Sequence, residues 1–304
     1  MKIVFMGTPD FAVPSLTALL ESGHEVLAVF TQPDKPKGRG HKLQAPPVKE
    51  LAVSKGIPVF QPTTLRTAEA AETLRELAPE LIVVAAYGKL LPPEVLNIPP
   101  RGCINVHGSI LPKYRGAAPI QWAVLNGDKT TGVTIQQMAE GMDTGDILTT
   151  VETPIGENET SGELFDRLMI LGAELLIKTI DGLENIQPQP QNEAEATHAP
   201  MIRKEMAQID WMQPAEKIHD LVRGMSPWPV AFCTLGEKRV KIFSVSVVKA
   251  KGEPGEISLQ NGEMTICCGE NALQILEMQP ENGKRMRGAD YLRGHGIDSI
   301  GRAR

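Results

Sequence analysis

The chain has 304 residues, 41% of them hydrophobic, and a formal net charge of −6. That length can bury a large core and split into two domains, and no apolar run approaches the length of a membrane span. The opening apolar run, residues 3–6, is too short for a secretory leader and ends at turn residues, so the expected location is cytoplasmic. Cys103, Cys233 and the adjacent Cys267 and Cys268 show neither CxxC spacing nor paired histidines, which speaks against a zinc site or a disulfide framework and for buried, reduced thiols.

In chain order, the first 150 residues alternate short apolar runs with amphipathic stretches. Strands are expected at residues 3–6, 26–30, 58–60, 81–86 and 103–107, with helices near 14–22, 48–55 and 68–77. Continuous apolar strands between helices imply a parallel sheet covered on both faces, an α/β architecture whose ligands lie at the C-terminal strand ends. Residues 133–138 and 147–151 read as two alternating strands joined by the glycine-rich turn 141–145. A long helix is expected from 162 to 183, with Ser161 as its N-cap. Residues 185–208 turn rich in Gln, Pro, Asn and Glu and read as a linker, so the expected domains are 1–184 and 209–304. The second has a short helix near 215–225, a Pro-Trp-Pro turn at 227–229 and five evenly spaced short strands, which suggests a small β-barrel.

Charge divides unevenly. Residues 1–208 hold 25 acidic and 18 basic side chains, residues 209–304 hold 12 and 13. Within the acidic part, Lys35, Lys37, Arg39, His41 and Lys42 fall within eight positions, interrupted by Pro36, Gly38 and Gly40. This composition reads as a projecting loop. Such runs are usually solvated surface, but this one is also suited to meeting phosphates locally despite the overall negative charge.

Chemistry concentrates at Asn105-Val106-His107-Gly108. Strand alternation points Asn105 and His107 to one face, setting a neutral amide donor beside a group able to carry a proton near neutral pH. Together they can hold a developing oxyanion, as acyl transfer requires; hydrogen-bonded structural residues at a strand end are the alternative. Asp143, in the turn Gly141 to Gly145, offers a carboxylate to orient the imidazole, with Asp146 competing and turn propensity alone able to account for either. No second histidine has the spacing for a metal site with His107. Gly7-Thr8-Pro9-Asp10 lacks two glycines of the dinucleotide fingerprint, and Pro9 removes an amide, so a tight turn explains it better.

These segments together resemble the methionyl-tRNA formyltransferases over nearly the whole chain. The resemblance is carried by Met6-Gly7-Thr8-Pro9-Asp10-Phe11-Ala12, by Phe30 to Pro36 with Gly38-Arg39-Gly40, and by Ile104-Asn105-Val106-His107-Gly108-Ser109. It continues through Leu111-Pro112-Lys113-Tyr114-Arg115-Gly116, Gly132-Val133-Thr134-Ile135, Met142-Asp143-Thr144-Gly145-Asp146 and Pro227-Trp228-Pro229. Ile110 departs from the usual leucine, an isomeric change of small expected effect.

The resemblance implies a Rossmann-like, mostly parallel formyltransferase sheet followed by an OB-like β-barrel. It implies 10-formyltetrahydrofolate as donor, the α-amine of initiator methionyl-tRNA as acceptor, no metal, and a monomer. By position it implies catalysis by Asn105, His107 and Asp143, and folate binding by Ser109, Ile110, Leu111 and Pro112. It implies contact with the tRNA acceptor stem through the inserted loop bearing Lys35, Lys37, Arg39 and Lys42, with a second electrostatic contact from the barrel.

Overall fold

The structure, a computed structural model, describes residues 1–37, 42–297 and 301–304, with the side chains of Lys37 and Lys42 outside the description. The chain divides into two compact units. The first comprises Met1–Pro119, Thr130–Pro154 and Phe165–Ala199, the second Ile120–Lys129, Ile155–Leu164 and Pro200–Arg304.

The elements of the first unit begin with β1 (Lys2–Gly7), α1 (Val13–Glu21), β2 (Glu25–Phe30), β3 (Lys35–Lys37), β4 (Lys42–Gln44), α2 (Pro47–Ser54), β5 (Val59–Phe60), α3 (Ala68–Leu77), β6 (Leu81–Ala85), α4 (Pro93–Leu96), β7 (Cys103–His107) and β8 (Arg115–Gly116). After α5 (Pro119–Leu125), nearly all of which belongs to the second unit, come β9 (Thr130–Gln137), β10 (Ile147–Pro154), α6 (Ser161–Gly182), whose first turn also belongs there, and β11 (His198–Ala199). Seven strands form one sheet in the order β10-β9-β7-β6-β1-β2-β5. The five from β7 to β5 run parallel, and β9 and β10 add an antiparallel edge. The mostly parallel α/β sheet expected from the alternating pattern is therefore present.

Both faces are covered. Val4, Met6, Ile82, Val84 and Cys103 pack with Leu74 of α3 and Val95 of α4. On the opposite face α6 lies so close that a Cβ at Gly172 would come within 2.9 Å of Val106 Cγ1, an approach only glycine permits. The strands are buried on both sides, which is why they read as unbroken apolar runs.

Two local features differ from expectation. The basic segment is paired at its base, since β3 and β4 form an antiparallel hairpin with Lys35 opposite Gln44 and Lys37 opposite Lys42. Its root is anchored by Lys49, whose ammonium donates to both Asp34 oxygens and to Gln61 Oε1, each at 2.8 Å. Those bonds hold the Asp34 carboxyl below its ordinary range. Helix α6 is capped by Thr160, not Ser161. Thr160 Oγ1 accepts from the Glu163 amide at 3.2 Å while Glu163 Oε2 accepts from the Thr160 amide at 2.9 Å, a capping box. The Ser161 hydroxyl instead donates to the Ser226 carbonyl.

In the second unit α7 (Ala215–Gly224) precedes β12 (Phe232–Leu235), β13 (Lys238–Val248), β14 (Ile257–Gln260), β15 (Glu263–Cys267), β16 (Ala272–Pro280) and α8 (Gly288–His295). The strands make an antiparallel sheet ordered β12-β13-β16-β15-β14, curled as a half-barrel. Ile218 and Val222 of α7 and Tyr291 and Leu292 of α8 fill its core with Val240, Ile242, Ile266, Leu273 and Ile275. Arg304 exchanges backbone hydrogen bonds with Thr234 of β12, and the Ala303 amide donates to the Gly255 carbonyl ahead of β14. Two residues thus bridge the edge strands and satisfy backbone groups that an open edge would leave exposed.

Candidate active site

The site grows from the pairing of β7 with β9. Asn105 lies opposite Gln136 and His107 opposite Thr134. Residues directly opposite in an antiparallel pair share a face, as do alternate residues along each strand. One face therefore runs from Cys103 and Met138, which pack on the core, through the amides of Asn105 and Gln136, to His107 and Thr134 at the C-terminal end of β7. The polar end remains buried: Asn105 is 9% exposed, His107 5%, Gln136 1% and Thr134 0%.

Each group has a distinct state. Among the described residues none hydrogen-bonds to the Asn105 amide. His107 Nε2 lies 2.9 Å from the Tyr114 carbonyl, which can only accept, so Nε2 carries a hydrogen. Nδ1 stands 3.7 Å from Asp143 Oδ1, an ion-pair distance and not a hydrogen bond. Both ring nitrogens thus face acceptors, and Nδ1 is the one left available to a further partner. Asp143 Oδ1 accepts from Gln136 Nε2 and Oδ2 from the Gly116 amide, both at 2.9 Å. Its backbone sits at φ 53°, a left-handed conformation aspartate tolerates.

Thr134 pins the loop that follows β7, donating to the Ser109 carbonyl at 2.7 Å and accepting from the Leu111 amide at 3.1 Å. Ser109 is fully buried and its hydroxyl donates to the Lys113 carbonyl at 2.6 Å. In the segment Ser109, Ile110, Leu111, Pro112, only Ile110 and Pro112 have half-exposed side chains.

Behind these groups runs a stretch whose composition reads as a linker. Gln189 and Ile147 exchange backbone hydrogen bonds, and Gln191 Nε2 donates to the carbonyls of Asp143 and Gly145. Gln191 Oε1 and Glu193 hold the guanidinium of Arg115, and the hydrogen bonds between Arg115 and Glu193 raise the pKa of the first and lower that of the second. Thr197 Oγ1 accepts from the Tyr114 amide, and β11 pairs with β8. Residues 189–199 therefore fix Tyr114, Arg115 and the Asp143 turn together.

The structure brings Asn105, His107 and Asp143 to one place. Lys35 lies apart from them in the β3–β4 hairpin, exposed, with its ammonium donating to Gln32 Oε1 at 2.8 Å. Lys37 and Lys42 occupy paired positions in that hairpin, and Arg39 falls outside the described residues. Sequence reasoning missed Thr134, Gln136, Arg115 and Gln191. The signal for the first two was the polar spacing of two within an apolar strand; only the register with β7 gives it meaning. Among the described residues no group of three His, Cys, Asp or Glu could hold a metal ion, and no helix is long and apolar enough to cross a membrane.

Residues 1–180 match the family model described as formyl transferase, and 201–296 the one for the formyl transferase C-terminal domain. A methionyl-tRNA formyltransferase of Caldanaerobacter subterraneus subsp. tengcongensis is 51% identical over 302 residues, 98% of each chain. Among solved structures, the N-formyltransferase of Helicobacter canadensis in complex with folinic acid and dTDP-3-aminofucose superposes with a TM-score of 0.69 at 19% identity, covering 94% of this chain and all of that one. HypX from Aquifex aeolicus in complex with tetrahydrofolic acid gives 0.63 at 21% identity over 96% of this chain, which spans 47% of that longer one. These two likenesses show a shared fold. The chain belongs to the formyl transferase family and, within it, to the methionyl-tRNA formyltransferases.

Proposed function

We propose that the protein transfers a formyl group from 10-formyltetrahydrofolate to the α-amine of initiator methionyl-tRNA, with Asn105, His107 and Asp143 as its catalytic residues. The observation that carries the residue roles is the polar end of the β7–β9 face. There a buried side-chain amide without a partner among the described residues stands beside an imidazole whose Nδ1 makes no hydrogen bond to a described residue, backed by a carboxylate. When bound, the folate supplies the formyl carbon on N10.

Asn105 donates to the formyl oxygen as negative charge develops there, and protonated His107 does so through Nδ1, since Nε2 is committed to the Tyr114 carbonyl. Such preorganised donors contribute on the order of 3–4 kcal/mol each to lowering the barrier. Asp143 balances the imidazolium and takes part in moving the proton from the amine to the departing nitrogen, directly or through a water. Esterification to tRNA lowers the basicity of the methionyl amine, so more of it is neutral and nucleophilic at physiological pH. Ser109, Ile110, Leu111 and Pro112 shape the folate wall. Because the Ser109 hydroxyl is occupied, they offer it backbone groups and the side chains of Ile110 and Pro112.

The acceptor RNA is held elsewhere. Lys35, Lys37 and Lys42 of the paired strands, with Arg39 between them in sequence, meet the acceptor stem, where a few local cations outweigh an unfavourable net charge under screening. A second contact lies in the C-terminal unit, in a cleft of ≈490 Å³ lined by Lys204, Trp228, Phe232, Arg239, Lys241 and Asn282. The Arg239 guanidinium lies 3.5 Å from the centre of the Phe232 ring, a surface suited to phosphates and stacked bases. Both parts of the chain thus take part in RNA binding, the basic segment of 35–42 and the C-terminal cleft, while the catalytic residues all lie in the first.

The decisive assay offers 10-formyltetrahydrofolate with charged initiator tRNA, charged elongator methionine tRNA or a small amine. Formylation is expected on the initiator at a rate far above the other two. Equal rates on the elongator would remove the initiator specificity.

A further inference from the structure

We infer that Gln136 is a two-ended member of the site, positioning Asp143 through Nε2 and taking a hydrogen of the attacking amine on Oε1. The inference rests on formyl transfer to an amine as proposed. Carboxylate oxygens only accept, so the 2.9 Å contact with Asp143 Oδ1 assigns the Gln136 nitrogen and thereby its oxygen. Oε1 is then a buried acceptor with no hydrogen-bond partner among the described residues, on a side chain that is 1% exposed. An unpaired buried acceptor is costly, and native proteins keep few of them without a ligand or a role. This one lies on the strand position directly opposite Asn105, where no described residue engages the amide either.

The chemistry supplies a partner of the right kind. A neutral amine that directs its lone pair at the formyl carbon keeps two N–H groups, and both need acceptors once water is excluded. Asp143 offers one acceptor. Gln136 Oε1, on the residue already bonded to that carboxylate, offers the second. Held by both, the amine cannot rotate its lone pair away from the carbon. Gln136 therefore acts on orientation and turnover and leaves folate affinity unchanged.

Two substitutions separate this from a merely structural role. Gln136→Met preserves length and volume and removes both polar ends. Gln136→Glu keeps an acceptor, but its carboxylate faces Asp143 and repels it; once protonated, its O–H can donate to Asp143 while its carbonyl accepts, reproducing both ends of glutamine. The other charged groups nearby, His107 on β7, Arg115 on β8 and Asp146 in the Asp143 turn, are common to variant and wild type. The ratio of the two activities divides out what they contribute in the wild type and leaves the new carboxyl together with its coupling to them.

Steady-state formylation of initiator methionyl-tRNA, tetrahydrofolate binding by calorimetry and thermal unfolding are measured for all three proteins. We expect Gln136→Met to lower kcat by about 10- to 100-fold with the tetrahydrofolate Kd and Tm held near wild type. The activity of Gln136→Glu relative to wild type should rise as the pH falls. A Gln136→Met kcat within twofold of wild type, or a Gln136→Glu ratio independent of pH, overturns the inference. Should Gln136→Met fail to fold, the pH dependence of the Gln136→Glu ratio decides alone. Wild-type protein inactive on methionyl-tRNA would instead remove the formylation reading itself.

Discussion

Two regions bury polar side chains to a similar depth and use them in opposite ways. On α7, Arg223 is 4% exposed; it donates to Asp220 through Nε and Nη2 and to the carbonyls of Glu159 and Val124. Burial raises the Asp220 pKa, but the adjacent His219 imidazole, the hydrogen bonds from Arg223 and the Arg223 charge lower it more, so the carboxyl stays below its usual range. At the end of β7, by contrast, the Asn105 side chain, His107 Nδ1 and Gln136 Oε1 make no hydrogen bond among the described residues, Nδ1 having only the 3.7 Å ion pair with Asp143. A saturated cluster ties segments together, here α7 with residues 124 and 159 of the same unit. An unsaturated one is held ready for something that arrives, at a cost in stability that the rest of the fold must offset.

That contrast can be broken from either side. The largest effect is expected at the unsaturated cluster. Asn105→Ala or His107→Ala should each lower single-turnover formylation by about 10²–10³-fold, on the order of 3–4 kcal/mol of barrier, while thermal unfolding changes little. A large Tm loss with activity retained per folded molecule would reverse the assignment.

Next comes the saturated cluster. Arg223→Met leaves Asp220 buried without its partner and should cost about 3 kcal/mol in denaturant unfolding, with turnover per folded molecule preserved. Asp220→Asn carries a pH signature. A carboxyl whose folded pKa is depressed contributes stability above its unfolded value, near pH 4, and that stability is lost as pH falls through the folded value. The stability gap between wild type and Asp220→Asn should therefore be full at pH 7 and shrink below about pH 4.

Thr134→Val tests the boundary between the two kinds of cluster. It removes two hydrogen bonds from the 109–111 loop, about 1 kcal/mol each, and should weaken tetrahydrofolate binding more than it lowers kcat. The smallest effect is expected at Lys35→Ala. It should reduce the slope of log K for initiator tRNA against log salt by roughly one unit or less and leave small-amine controls unaffected.

Much of the fold was readable in the residues because period and burial are local properties. Unbroken apolar runs at 3–6, 26–30 and 81–86 could be satisfied only by a sheet buried on both faces, and alternation within 103–107 put Asn105 and His107 side by side. The glycine-rich turn located Asp143. The composition of 185–197 was readable too, but not its use. Gln191 and Glu193 are polar because they hold Arg115 and the Asp143 turn, and a side chain bonded to protein is indistinguishable in sequence from one bonded to water. Thr160 and Ser161 likewise offer the same hydroxyl, and the choice of cap rests on where Ser226 lies.

By itself, then, the sequence determined the element types, the shared face of Asn105 and His107 and, through its motifs, the family. The tertiary structure decided what those groups meet. The register of β9 against β7 set Gln136 opposite Asn105 and bonded to Asp143, and the Tyr114 carbonyl claimed one nitrogen of His107. Strand periodicity is written in consecutive residues, whereas the register sets Gln136 opposite Asn105 and the Tyr114–Thr197 bond spans 83 positions, and such pairings arise only when the chain packs.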